Sequence, residues 1–236
     1  MLTFSDRQFE TFRDTARGRW VAARAPHLHA TFAGHYGAHG VAADVLGPVI
    51  EAVAAWAQAR GIRAEADVMR LSVVAASFGH RFWMDPRAAS LVTGALDDAI
   101  PRSRVALTLV KAVKTWLETL WQGDDLTGFA NRLTHAIRMG APLERDTLQA
   151  VLPGHWRVLS DEDNARLLRW LVPRLPATLT ERPSHALAAT ACALVHGTGW
   201  LSDPQYPRLQ AIVTADDTPA DLARGLHALY ADVAGR

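Results

Sequence analysis

Histidine is the residue type here with the densest potential for chemistry. His27, His29, His35 and His39 crowd the stretch from Pro26 to Gly40. Imidazole near neutrality can ligate a transition metal or carry protons. His35 and His39 would share one face of a helix, but Gly34, Gly37 and Gly40 argue for a loop. No acidic or cysteine ligand stands among these positions, and the spacing fits no zinc signature. The stretch reads as a polar, partly exposed loop, and no metal is expected. His80, His135, His155, His185, His196 and His227 are dispersed along the chain.

The other reactive side chains point the same way. Cys192 is the single cysteine, in the apolar run Ala188–Val195, and reads as a small buried hydrophobe with no disulfide to make. There is no Gly-x-Ser-x-Gly elbow, and Gly197-Thr198-Gly199 is too short to cradle a phosphate. The carboxylate pairs Asp97-Asp98, Asp124-Asp125, Asp161-Glu162-Asp163 and Asp216-Asp217 fall at helix ends, where they serve as caps and dipole partners. No catalytic residue and no cofactor is indicated, although an enzyme assembled from distant residues stays an alternative. Eight tryptophans are the remaining excess. Most fall in apolar stripes; Trp121 ends a helix, and Trp156-Arg157 sits in a connection. Trp and Arg dominate the energetics of protein interfaces. Trp121, Trp156, Arg157, His35 and His39 are therefore the positions offered for partner contact, against the alternative of core or local packing.

The elements that must carry these residues are helical almost throughout. Ser5 and Gln8 suggest a capping box for a first helix with Phe9, Phe12, Ala16, Trp20 and Ala23 in one stripe, bent or ended near Pro26. Helices follow over about Ala42–Arg60 and Glu65–Phe78, each stopped by a glycine, Gly61 or Gly79. Pro101 opens a long helix to Trp121, and Gly123-Asp124-Asp125 is the clearest break. Beyond it come stripes at Leu126–Ile137 and Leu143–Leu152. Ser160, Ser184, Asp203-Pro204 and Thr218-Pro219 start four further helices. No two-residue alternation bounded by hairpin turns is found. The fold class is all-α, with about ten helices.

The chain also reads as a repeat. Gly79, Phe82 and Asp85-Pro86 correspond to Gly197, Trp200 and Asp203-Pro204 at one offset of 118 residues. A small-residue helix precedes each motif and a short helix follows it. Glycine ends a helix, an aromatic pins the connection in the core, and Asp-Pro starts the next helix. This predicts two similar helical lobes, 1–122 and 123–236, packed as one unit.

The 25 basic and 24 acidic residues nearly cancel, which gives no charge-driven case for nucleic acid or a membrane surface. All but Lys111 and Lys114 of the basic residues are arginines. No window is apolar enough for a membrane span, and the start of the sequence lacks signal-peptide character, so a cytoplasmic location is expected.

One resemblance supplies a setting. Leu2-Thr3-Phe4-Ser5-Asp6-Arg7-Gln8-Phe9, Ala16-Arg17-Gly18-Arg19-Trp20-Val21, Ile50-Glu51-Ala52-Val53, Ala59–Val68 and Phe78–Pro86 resemble small helical proteins encoded near bacterial type VI secretion spike and effector genes. The match covers about residues 1–100. It implies a protein partner and no reaction: an immunity or accessory protein that binds a cognate toxic effector. An adaptor or chaperone that loads an effector onto the spike is the first alternative, and an effector enzyme without a recognisable motif the second.

Overall fold

Most helix boundaries follow from which residues satisfy the free amides and carbonyls at helix ends. The structure, a computed structural model, describes residues 6–235, with side chains from residue 15 onward. Ser5 and the side chains of Phe9 and Phe12 lie outside the described residues. Fourteen α-helices and five short 3₁₀ turns account for the described chain, with no strand among the described residues. The class is all-α, and the helix count exceeds the expected ten because helices as short as His155–Val158 and Ala177–Thr180 leave no periodic stripe in the sequence.

The first half holds α1 (Asp6–Thr31), α2 (Ala33–His39), α3 (Leu46–Gln58), α4 (Glu65–Phe78), α5 (Ala89–Ala95) and α6 (Val105–Leu120). The second holds α7 (Leu126–Arg138), α8 (Arg145–Val151), α9 (His155–Val158), α10 (Asp161–Leu171), α11 (Ala177–Thr180), α12 (Pro183–His196), α13 (Pro207–Thr214) and α14 (Pro219–Ala234). Asp125, Ser160 and Thr218 accept the amides of Gly128, Asp163 and Asp221, which starts α7, α10 and α14 as their sequence predicts.

Several expectations are corrected. Pro101 precedes a 3₁₀ turn and α6 starts at Val105, and α13 starts at Pro207 and not at Asp203-Pro204. Pro26 lies inside α1, and the histidine stretch is helical: α1 runs on to Thr31 and α2 spans Ala33–His39. Gly34 and Gly37 are carried within α2, and Gly40, at φ +70°, ends it. The inner face of α1 is Val21, Ala25 and Leu28, whereas Ala16 and Ala23 are exposed. Leu28 and Val21 bury more apolar area than the alanines would, so the helix turns that side inward.

One hydrophobic core draws on both halves. At its centre lies α12, buried on every residue from His185 to His196. Its small side chains allow α4, α7, α8, α13 and α14 to approach it. The halves also exchange helices: α2 packs on α13 and α14, while α9 packs on α6.

Candidate functional site

The two glycine–aromatic–Asp-Pro motifs meet at the junction of the halves. α4 and α12 stop at Gly79 and Gly197, with φ of +94° and +119°, a region that favours glycine. The stops face each other closely. A Cβ on Gly197 would run into the Phe78 carbonyl oxygen, and one on Gly79 would lie 3.1 Å from Asp203 Oδ2. Phe82 and Trp200, each in the 3₁₀ turn that follows, are fully buried.

The aspartates do not cap the next α-helices, which start at Ala89 and Pro207; each closes the turn between a 3₁₀ segment and the helix that follows. One Asp85 oxygen accepts the amide of Arg87 at 2.9 Å, and one Asp203 oxygen accepts that of Gln205 at 3.0 Å. The second oxygen of each crosses to the opposite half. Asp85 Oδ2 accepts the amide of Thr198 at 2.9 Å, and Asp203 Oδ2 accepts that of His80 at 2.7 Å. The side chains two residues later cross as well. Arg87, 1% exposed, grips Asp85 at 2.9 Å and donates to the carbonyls of Leu194 (2.7 Å) and Val195 (3.2 Å) at the end of α12. Gln205 Nε2 donates to the Ala75 carbonyl of α4 at 3.0 Å. Spare carbonyls of each terminal turn are thereby satisfied from the other half.

Over this node the surface is concave. One cleft of about 200 Å³ is lined by His80, Arg81, Met84, Trp170, Thr198 and Ser202, with Asp85 and Asp203 among its lining residues. A second, of about 280 Å³, is lined by Pro86, Ser90, Leu159, Arg166, Leu167 and Trp170. Trp170 is a wall common to both clefts of this grooved surface. Met84 is 65% exposed, an unusual position for a large apolar side chain. Trp170 stacks under the Arg174 guanidinium at 4.4 Å, so a rigid aromatic and a flexible thioether stand on the same rim.

A second constellation lies in the interior. His35 and His39 of α2 have ring centroids 4.7 Å apart; His39 is 5.9 Å from His196 and 5.2 Å from Tyr206. His196 stacks on Tyr230 and its Nε2 lies 2.8 Å from the Tyr230 hydroxyl, which also approaches Cys192 Sγ at 3.5 Å. Tyr36 donates to Gln205 Oε1 at 3.0 Å. Burial pushes His39 down to about 3 and His35 to about 4, and holds His196 well below its usual value. It also raises Tyr36, Tyr206 and Tyr230. The cluster is uncharged at neutral pH. Among the described residues, no three His, Cys, Asp or Glu side chains are placed to hold a metal ion.

The positions offered for partner contact fall in two places. His39 is fully buried and His35 partly so, both in the interior cluster. Trp121, Trp156 and Arg157 gather at the end of α6. Arg157 donates to the carbonyls of Thr119 (3.3 Å), Leu120 (3.2 Å) and Gln122 (2.9 Å), a C-terminal cap made in trans. Trp121 packs on Phe129, and Trp156 on His155. The groove residues Met84 and Trp170 were not singled out, because each sits in an ordinary apolar pattern. The exposure of Met84 next to a fully buried Phe82 is a tertiary fact with no local signal. Comparison with protein-family models, curated proteins and solved structures finds no match.

Proposed function

We propose that this chain is a non-catalytic protein-binding protein of a bacterial type VI secretion system, an immunity or accessory protein that holds a cognate toxic effector. The groove at the junction carries the reading. Met84, Trp170, Arg81 and Arg166 line it. A thioether, an aromatic ring and guanidinium forks are a composition suited to a protein surface. The polar groups beneath it are committed to helix ends. Both Asp85 oxygens and both Asp203 oxygens accept hydrogen bonds from the protein itself. The resemblance of residues 1–100 supplies the secretion setting, and the near balance of 25 basic and 24 acidic residues suits a protein partner better than a polyanion.

Co-purification of the tagged chain with the products of neighbouring genes tests this. A stoichiometric complex with one of them is expected. Deletion then separates the roles: sensitivity to a sister strain marks immunity, and loss of effector delivery without self-intoxication marks loading. Absence of any complex, with neither phenotype, overturns the proposal.

A further inference from the structure

The interior imidazole cluster has no part in the proposed partner contact, yet it is built at a cost. His39 is fully buried, and neither its Nδ1 nor its Nε2 has a hydrogen-bond partner; His35 Nε2 is also unpartnered. A neutral imidazole always carries one N–H, so the site already holds an unsatisfied donor. Charging His39 is worse, because burial, His35 and Arg208 all oppose a cation there.

Several elements present titratable or polar groups to α2 and its imidazoles. From α12 come Cys192 and His196, and from α14 comes Tyr230. The segment leading into α13 brings Asp203, Gln205 and Tyr206. The Asp203 carboxylate is held by the amides of His80 and Gln205, by Gln205 Nε2 and by the His80 ring at 3.2 Å; it favours a charged His35, but burial outweighs it. On α13, Arg208 donates to the Ala38 carbonyl at 3.0 Å and is paired with Asp232 of α14. From α1, His29 stacks on Tyr36, its Nε2 on the Val41 carbonyl. Arg87, in the same half as α2, adds a second unfavourable positive charge, felt at His196.

We propose that α2 is an acid-released latch: protonation of the imidazoles buried between α2 and α12–α14 drives α2 off that face and opens the core there. The geometry selects α2 as the part that moves. It has seven residues, too few to hold as a helix alone, and it carries two of the three imidazoles. α12, by contrast, is enclosed on all sides. The low titration of His35, His39 and His196 supports the direction. An imidazole that charges near 6.5 in water and lower in the closed state favours the released state as pH falls below 6.5. Release gains about tenfold per pH unit for each such ring.

Hydrogen exchange on the intact chain between about pH 7 and 4, corrected for intrinsic rates, tests the latch. Peptides from α2 are expected to lose protection at a higher pH than peptides from α3 and α4. His39→Phe and His35→Phe are expected to move that loss to lower pH, while His27→Gln, at an exposed position, leaves it in place. Simultaneous loss across α2, α3 and α4 in the unsubstituted chain overturns the proposal, whatever the variants do. So does a release midpoint that neither phenylalanine variant moves.

Discussion

The carboxylate of Asp85 closes on the backbone amide of Thr198, 113 residues further along the chain. Asp203 returns the contact to His80, so each half of the molecule completes the helix stop of the other. The two helix stops are thereby tied into one unit beneath the proposed partner groove, which makes the stability of that surface a property of both halves.

Asp85→Ala strands Arg87, whose side chain has no exposure, without its counter-charge. A loss of ~3–5 kcal/mol is expected in urea unfolding. Asp203→Ala removes hydrogen bonds without orphaning a buried cation and should cost less, ~1–3 kcal/mol. Equal losses would show that the Arg87 ion pair is not what separates the two sites.

Gly154 sits where α9 lies against the end of α6, and a Cβ there would fall on the Leu120 carbonyl oxygen. Gly154→Ala is expected to destabilise by at least ~1–3 kcal/mol through forced separation of α6 and α9. Gly94, inside α5, meets nothing within 4 Å, and Gly94→Ala should stabilise by roughly 0.5–1 kcal/mol. Thermal melts of the two variants should therefore move in opposite directions.

Cys192 is fully enclosed, and burial pushes its thiol up to about 12. A thiol reagent at pH 8 should leave the native chain unlabelled and react stoichiometrically once urea has unfolded it. Rapid labelling of the native protein would contradict the packing of α12 against α14.

His155 is buried at 0% exposure, its Nδ1 2.7 Å from Asn164 Oδ1, and burial beside Arg87 lowers it to about 4. Its folded value lies below the unfolded 6.5, so the unfolded chain binds the extra proton between those limits. Its contribution to stability is intact above pH 6.5 and declines as pH falls towards about 4. His155→Phe should reduce the slope of the stability–pH curve measured by urea unfolding between about pH 4 and 6.5 by roughly one bound proton, leaving the slope that His35, His39 and His196 supply.

The helices were legible wherever a boundary is set locally. The limits of Glu65–Phe78 are visible in the sequence because Gly79 supplies a stop at positive φ, and the caps at Ser160 and Thr218 are short-range contacts. The α2 stretch was not. Its three glycines outweigh its local helix preference, and it is helical because Tyr36 and His39 are buried against α13 and α14. The motif at Asp85 and Asp203 was read as local capping. One oxygen of each carboxylate does act locally, but on the amide two residues on, in the turn ahead of the helix and not at its N-cap; the other oxygen reaches across the junction, and no spacing along the chain announces it. The groove depends on which side of a 3₁₀ turn Met84 occupies, so it too became visible only with tertiary structure.

We propose the Met84–Trp170 groove as the seat of the protein partner. Titration calorimetry of the purified chain against the purified product of the neighbouring gene that co-purifies with it tests this most directly, with Met84→Glu and Trp170→Ala alongside. Binding is expected to weaken by ~2 kcal/mol or more in each variant, while the unfolding midpoint of the free chain stays nearly unchanged for Met84→Glu, an exposed position. Unaltered affinity in both variants would contradict it.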